Sequence, residues 1–170
     1  KKPLPPKRYE HKEDSLVKYN KIIKEVLSTK ENMSPQAILN EMEMKNLKPD
    51  STTFNTLIDI EITKGRYDSA DCLLGIMREK GVKLDLVTYN TLIKKKALEL
   101  KSGRKCHKKN FLEAFDIIKE MEENHILINI ITINTLLDCC VCCRSIEYFE
   151  DVYLKMKESH IKPDEITFGT

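Results

Sequence analysis

Asn20, Asn55, Asn90 and Asn134 occupy one place in a recurring phrase: Lys-Tyr-Asn-Lys-Ile-Ile, Thr-Phe-Asn-Thr-Leu-Ile, Thr-Tyr-Asn-Thr-Leu-Ile and Thr-Ile-Asn-Thr-Leu-Leu, at intervals of 35, 35 and 44 residues. Met42, Met77, Met121 and Met156, and likewise Asp50, Asp85, Asn129 and Asp164, recur at 35, 44 and 35 residues, the long interval in each series spanning the same stretch between Asn90 and Met121. A unit of this length is too small to bury its own apolar face, so it must stack on its neighbours. The phase gives repeat 1 at 16–50, repeat 2 at 51–85, repeat 3 at 86–129 and repeat 4 at 130–164, with a further unit begun at 165–170.

Repeat 2 reads most clearly. Phe54, Leu57, Ile58 and Ile62 fall three or four apart on one helical face, with Thr53 as the expected cap. Gly65 with Arg66 breaks that helix, Asp68 or Ser69 is placed to cap the next, and Cys72, Leu73, Ile76 and Met77 form its apolar stripe. The unit is a helical hairpin. Gly81 stands where a left-handed residue ends a helix, and its phase-mates are Asn46, His125 and His160, residue types that tolerate positive φ. Those two histidines therefore read as helix stops and not as catalytic or metal-binding groups. Pro49 and Pro163 follow three residues later and prevent continuation. Repeat 1 has Lys18 where the others have Thr, yet Ser34-Pro35 gives a cap and a proline suited to a first turn. Repeat 3 carries nine extra residues, expected as a loop between its helices around Glu99 to His107.

Lys plus Arg number 29 against 27 for Asp plus Glu, a net charge of +2, too small to hold nucleic acid by overall charge. Any such contact must be local. The segment 94–109 concentrates Lys94, Lys95, Lys96, Lys101, Arg104, Lys105, Lys108 and Lys109 against Glu99, a candidate phosphate-contacting patch for which a solvated helix end and loop is the favoured reading, since charge runs usually face water. Among six cysteines, Cys139, Cys140, Cys142 and Cys143 have zinc-like spacing but follow Leu136 and Leu137 inside an expected helix and lack a second pair. Buried thiols at a helix contact fit them better. Their uneven spacing gives no disulfide framework, as in a reducing compartment. No apolar run approaches the roughly 18 residues that span a bilayer, and no membrane partner is expected. Residues 1–15 read as a basic, Pro-containing extended arm without a signal-peptide or transit-peptide pattern, and the array is expected to continue past Thr170.

Hairpins of 35 residues with the opening Val87-Thr-Tyr-Asn-Thr-Leu-Ile, a late Met in the second helix and the ending Ile161-Lys-Pro-Asp resemble pentatricopeptide repeats of the P type over residues 16–170. The tetratricopeptide pattern fits less well, since its Trp is absent and the period is one residue too long. The resemblance implies an all-α chain, a right-handed α-solenoid of stacked helical hairpins with four units plus the start of a fifth. It also implies single-stranded RNA as partner, read about one base per repeat. The implied reading pairs are Asn20 with Asp50, Asn55 with Asp85, Asn90 with Asn129, and Asn134 with Asp164. The implied preference is U-U-(C or U)-U, because the family associates Asn/Asp with uracil and Asn/Asn with a pyrimidine. Three positions before each Asn, Val17, Thr52, Val87 and Ile131 are the implied base-sandwiching side chains. In the fifth unit, Gly169 takes the reading position and offers no contact. The same residues also have a purely structural use, since Asn early in a helix bonds local backbone and Asp before a helix caps it.

By the resemblance, the setting is mitochondrial or plastid RNA metabolism. Two other functions stay open: a protein-interaction solenoid within an organellar ribosome or similar assembly, and an RNA-positioning arm of a larger processing enzyme, as in protein-only ribonuclease P. No nucleophile with an adjacent base, phosphate loop or acidic cluster emerges, so no catalytic residue, metal or cofactor is expected.

Overall fold

The computed structural model describes residues 16, 17, 19–21, 23, 34–102, 107–144 and 146–169, without the side chains of 107, 108 and 110. The expected arm at 1–15 lies outside the described residues. Every regular element among them is helical. Helix α1 is helical at residues 16, 17, 19–21 and 23. It is followed by α2 (Pro35–Met44), α3 (Ser51–Thr63), α4 (Tyr67–Glu79), α5 (Leu86–Lys101), α6 (His107–Glu123), α7 (Ile130–Cys143), α8 (Ile146–Glu158) and α9 (Glu165–Gly169).

The chain forms two compact units, Lys1–Val82 and Lys83–Thr170. In the first, α3 and α4 pack as a hairpin. Phe54, Leu57, Ile58, Ala70, Leu73 and Met77 are buried there, as are Ile38, Leu39 and Met42 of α2. In the second, α7 packs against α5, α6, α8 and α9, so first helices of successive repeats lie side by side with second helices behind them. Its core joins Tyr89, Ile93, Phe111, Met121, Ile133, Leu136, Val152 and Met156. The in-phase methionines thus fill one slot in each repeat, an apolar residue near the end of every second helix.

The helix stops follow the sequence pattern. Asn46, His125 and His160 have φ of 55°, 58° and 54°, beside Gly65 and Gly81 at 71° and 68°. At the ends of the second helices, the amide three residues past the helix reaches back to a carbonyl of the last turn, as in Leu47 to Met42, Val82 to Met77, Ile126 to Met121 and Ile161 to Met156. The sequence pattern did not mark Arg144, which ends α7 at φ 51°.

Three expectations are corrected. Asp50, not Thr53, is the N-cap of α3, with Thr53 three residues inside it. Helix α4 starts at Tyr67, and its N-cap Arg66 makes no side-chain cap bond, so neither Asp68 nor Ser69 caps it. The nine extra residues of repeat 3 are mostly not a loop: α5 has 16 residues and α6 has 17, against 13 each for α3 and α4. Leu98, Leu100 and Phe111 carry the apolar stripe on, so both helices extend instead of being interrupted.

A Cβ added at Gly81 would meet nothing within 4 Å, so the cost of Gly81→Ala is that of a left-handed backbone alone. Its urea midpoint should correspond to a loss of about 1 kcal/mol, and Arg144→Gly should gain a similar amount. Unchanged midpoints in both would show that these turns are not held left-handed in solution.

Candidate nucleic-acid interface

The first helices of repeats 2, 3 and 4 each begin with an acid or amide that has two tasks. Asp50, Asp85 and Asn129 are the N-caps of α3, α5 and α7, and their Oδ1 accepts the backbone N–H of Thr53, Thr88 and Thr132 at 2.8, 2.9 and 3.0 Å. The threonine hydroxyl returns the bond by accepting the cap residue's own N–H, at 3.3 Å for Asp50 and Asn129 and 3.2 Å for Asp85. This reciprocal box satisfies amides that a helix start leaves unpaired. Asp164 and Thr167 repeat it ahead of α9.

The reading candidate of the preceding repeat is tied into the same box. Asn20 Nδ2 donates to Asp50 Oδ1 at 3.1 Å, while the Thr53 hydroxyl donates to Asn20 Oδ1 at 2.7 Å. Asn134, Asp164 and Thr167 form the same triangle at 3.1 and 2.7 Å. At Asn90 and Asn129 the Thr132 hydroxyl again donates to Asn90 Oδ1 at 2.7 Å. Three of the four pairs are therefore assembled within a unit. Asn55 is buried in the first unit and Asp85 caps α5 in the second. The capping use of the acids is real. The bonds of Asp50 to Asn20 and Thr53, and those of Asp164 to Asn134 and Thr167, converge on Oδ1.

Beside each amide stands an exposed side chain. Val17, Val87 and Ile131 are 69%, 58% and 58% exposed, and Thr52 is exposed too. An aliphatic residue left in water at the same helical position in successive repeats is not explained by core packing. Ile166 continues the series at 66% exposure and was not singled out in the sequence, although its phase predicted it. The bridging role of the box threonines was missed as well, since the one singled out in the sequence, Thr53, reads there as a cap.

The basic patch is partly corrected. Lys95 is buried at 2% exposure and paired with the equally buried Glu99 at 3.4 Å, so it cannot meet a phosphate. Its place on α5 between the buried Leu92 and Glu99 turns it inward, where an unpaired ammonium would be costly. Lys101 is exposed and 3.5 Å from Asp138, and Lys109 is exposed and 3.8 Å from Glu113, surface pairs that contribute little and exchange readily. Lys94 is exposed. Arg104 and Lys105 lie outside the described residues, as does the Lys108 side chain. Val87, Asn90, Lys94 and Lys101, at i, i+3, i+7 and i+14, fall within about 60° on one face of α5.

Cys139 and Cys140 are buried in α7, and loss of hydration pushes the Cys140 thiol up to about 12 and that of Cys139 higher still. They are packing groups, poor nucleophiles at neutral pH. Among the described residues no cluster of three or more His, Cys, Asp or Glu is arranged to hold a metal ion. No helix among them is long and apolar enough to cross a membrane.

Comparison with known proteins gives this geometry its context. A model of the PPR repeat family matches residues 52–96 and one of the pentatricopeptide repeat domain matches 108–170. Together they cover more than half of the chain, which belongs to the pentatricopeptide repeat family. Among solved structures, it is similar to the pentatricopeptide repeat protein PPR10 from maize, with 25% identity over 91% of this chain and 21% of that one, at a TM-score of 0.66. A structure of PPR10 in complex with an 18-nt psaJ RNA element matches at 19% identity over 99% of this chain and 23% of that one, with a TM-score of 0.67. The fold class is the all-α solenoid of helical hairpins, and the chain spans about a fifth of the length of the solved chains it matches. Among curated proteins no significant sequence match was found.

The backbone N–H of Thr167, then the Asn134 amide and Thr167 hydroxyl, hold the Asp164 carboxyl below its usual 3.8. Because the folded value is the lower one, the cap's stabilisation is full above the unfolded value and disappears as pH falls through the folded value. A 13C titration should place the Asp164 midpoint below 3.8, and Asn134→Ala should move it upward. A midpoint indifferent to Asn134 would remove the triangle.

Proposed function

We propose that the chain is a single-stranded RNA-binding module that reads a short pyrimidine sequence, U-U-(C or U)-U, in mitochondrial or plastid RNA metabolism. What supports it is the repeated triangle: a first-helix Asn fixed by its neighbour's cap, with an exposed aliphatic side chain one turn before it. PPR10 forms a complex with an RNA element, and the same use of these repeats is proposed for this chain.

The chemistry of the pairs agrees with the base preference. In an Asn/Asp pair, Oδ1 of the acid is occupied, so the site offers an N–H from Asn and an acceptor from Oδ2, the complement of a uracil carbonyl beside its N3–H. In the Asn90/Asn129 pair both Oδ1 atoms face the Thr132 hydroxyl, so the site offers N–H donors, which suit the carbonyls of either pyrimidine or N3 of cytosine. Each bond contributes about 0.5–1.5 kcal/mol net, and sandwiching adds less than the roughly 1–3 kcal/mol of aromatic sites. Four repeats bind weakly, so further repeats or partner proteins strengthen the complex. Lys94, Lys101 and Lys109 are the phosphate contacts of this reading, and these residues perform no catalysis.

Anisotropy titrations with labelled oligouridylate and oligoadenylate test it. Three phosphate contacts give a log–log salt slope near −2, so a fourfold rise in salt should weaken oligouridylate binding roughly twentyfold. Asn55→Thr with Asp85→Asn should shift the second position toward adenine. Absence of binding to any strand would favour the protein-interaction solenoid, and an unchanged base preference in the folded double variant would refute the pairing.

A further inference from the structure

We propose that Thr132 fixes which way the Asn90 carboxamide faces and thereby sets the nucleotide selectivity of repeat 3; this rests on the RNA-reading assignment. The oxygen and nitrogen ends of a carboxamide have nearly the same shape, and only hydrogen bonding decides which end points where. In the Asn/Asp pairs two groups decide it. The carboxylate can only accept, so it holds the amide nitrogen, as Asp50 does for Asn20 and Asp164 for Asn134 at 3.1 Å, and the threonine hydroxyl holds the oxygen. Asn129 replaces the carboxylate in repeat 3. Its Oδ1 is held at 3.0 Å by the Thr132 backbone N–H, and among the described residues the Thr132 hydroxyl is the one side chain bonded to the Asn90 carboxamide.

Thr132 is fully buried, so the Asn90 oxygen is the inner end and the nitrogen the outer. The hydroxyl has one proton to give. Its contact with Asn90 is 2.7 Å against 3.1 Å with Asn129, which assigns the proton mainly to Asn90. Without it, the amide turns over at little cost and presents a carbonyl, the partner of an amino group such as that of adenine. Thr132 is therefore a positioning residue that acts on RNA through Asn90. It belongs to repeat 4, so the reading site of repeat 3 is incomplete without the first turn of the next unit.

A matched pair of variants separates this role from capping. Thr132→Val and Thr53→Val each remove a hydroxyl that accepts the N-cap amide, at 3.3 Å in both, so both should lower the urea midpoint to a similar degree. Thr132→Val alone should also reduce the preference for uracil over adenine at the third position, about five- to tenfold. Thr53→Val should change the first position less than about twofold, since Asp50 still holds the amide. Thr132→Ser should restore selectivity. Loss of stability in Thr132→Val with unchanged base preference would reduce Thr132 to a cap and overturn the proposal, as would equal relaxation in both variants. The Asn90 side-chain amide resonances supply a readout independent of RNA: one environment in the native chain, two in Thr132→Val. A native chain that binds no RNA would refute the functional reading, and these resonances would still decide the orientation.

Discussion

The cap at the start of α3, α5, α7 and α9 is the interaction on which the rest depends. One oxygen of Asp50, Asn129 or Asp164 closes the next helix, and the threonine that completes the box reaches back to an Asn of the previous repeat. A local rule, that a helix start must satisfy its free amides, thereby becomes a non-local link across 30 residues or more. Each apolar layer then has a fixed register, because the cap sets where the first helix begins and the left-handed stop after the second sets where it ends.

This arrangement separates stability from recognition on the same helix. In α5, Tyr89 and Ile93 face the core while Val87 and Lys94 face water, and Asn90 lies between. The inward set does not need to change when the outward set does. The Asn/Asp and Asn/Asn boxes have the same capping geometry to within a few tenths of an ångström and differ in what they leave for a ligand. A cap position occupied by either an acid or an amide is thus a place where base preference can vary with little structural consequence.

Much of this was legible in the sequence because it rests on single-residue rules repeated in phase. His125 and His160 read as helix stops only because Gly81 and Asn46 stand at the same place, and all four have positive φ. Ser34 with Pro35 likewise marks the start of α2, where the serine hydroxyl accepts the Ala37 N–H. The failures arose where one residue type serves two roles. Thr53 has the chemistry of a cap, and only the register showed that Asp50 holds that place. Lys95 belongs to a basic run, and its place on the inward face of α5 beside Leu92 and Glu99 was obscured by the charge pattern. Arg144 offers no local sign of a left-handed backbone, since it is not one of the Gly, Asn or His types that mark the other stops.

The central claim is that the carboxamides fixed by the caps meet the bases of a single strand. A 15N-labelled chain titrated with a uridylate oligonucleotide tests it directly through the side-chain amides. The account predicts saturable shifts for Asn20, Asn55, Asn90 and Asn134, with Asn40 and Asn124, exposed on second helices or just past them, unmoved. Binding that shifts the latter pair and leaves the first four unchanged would contradict it.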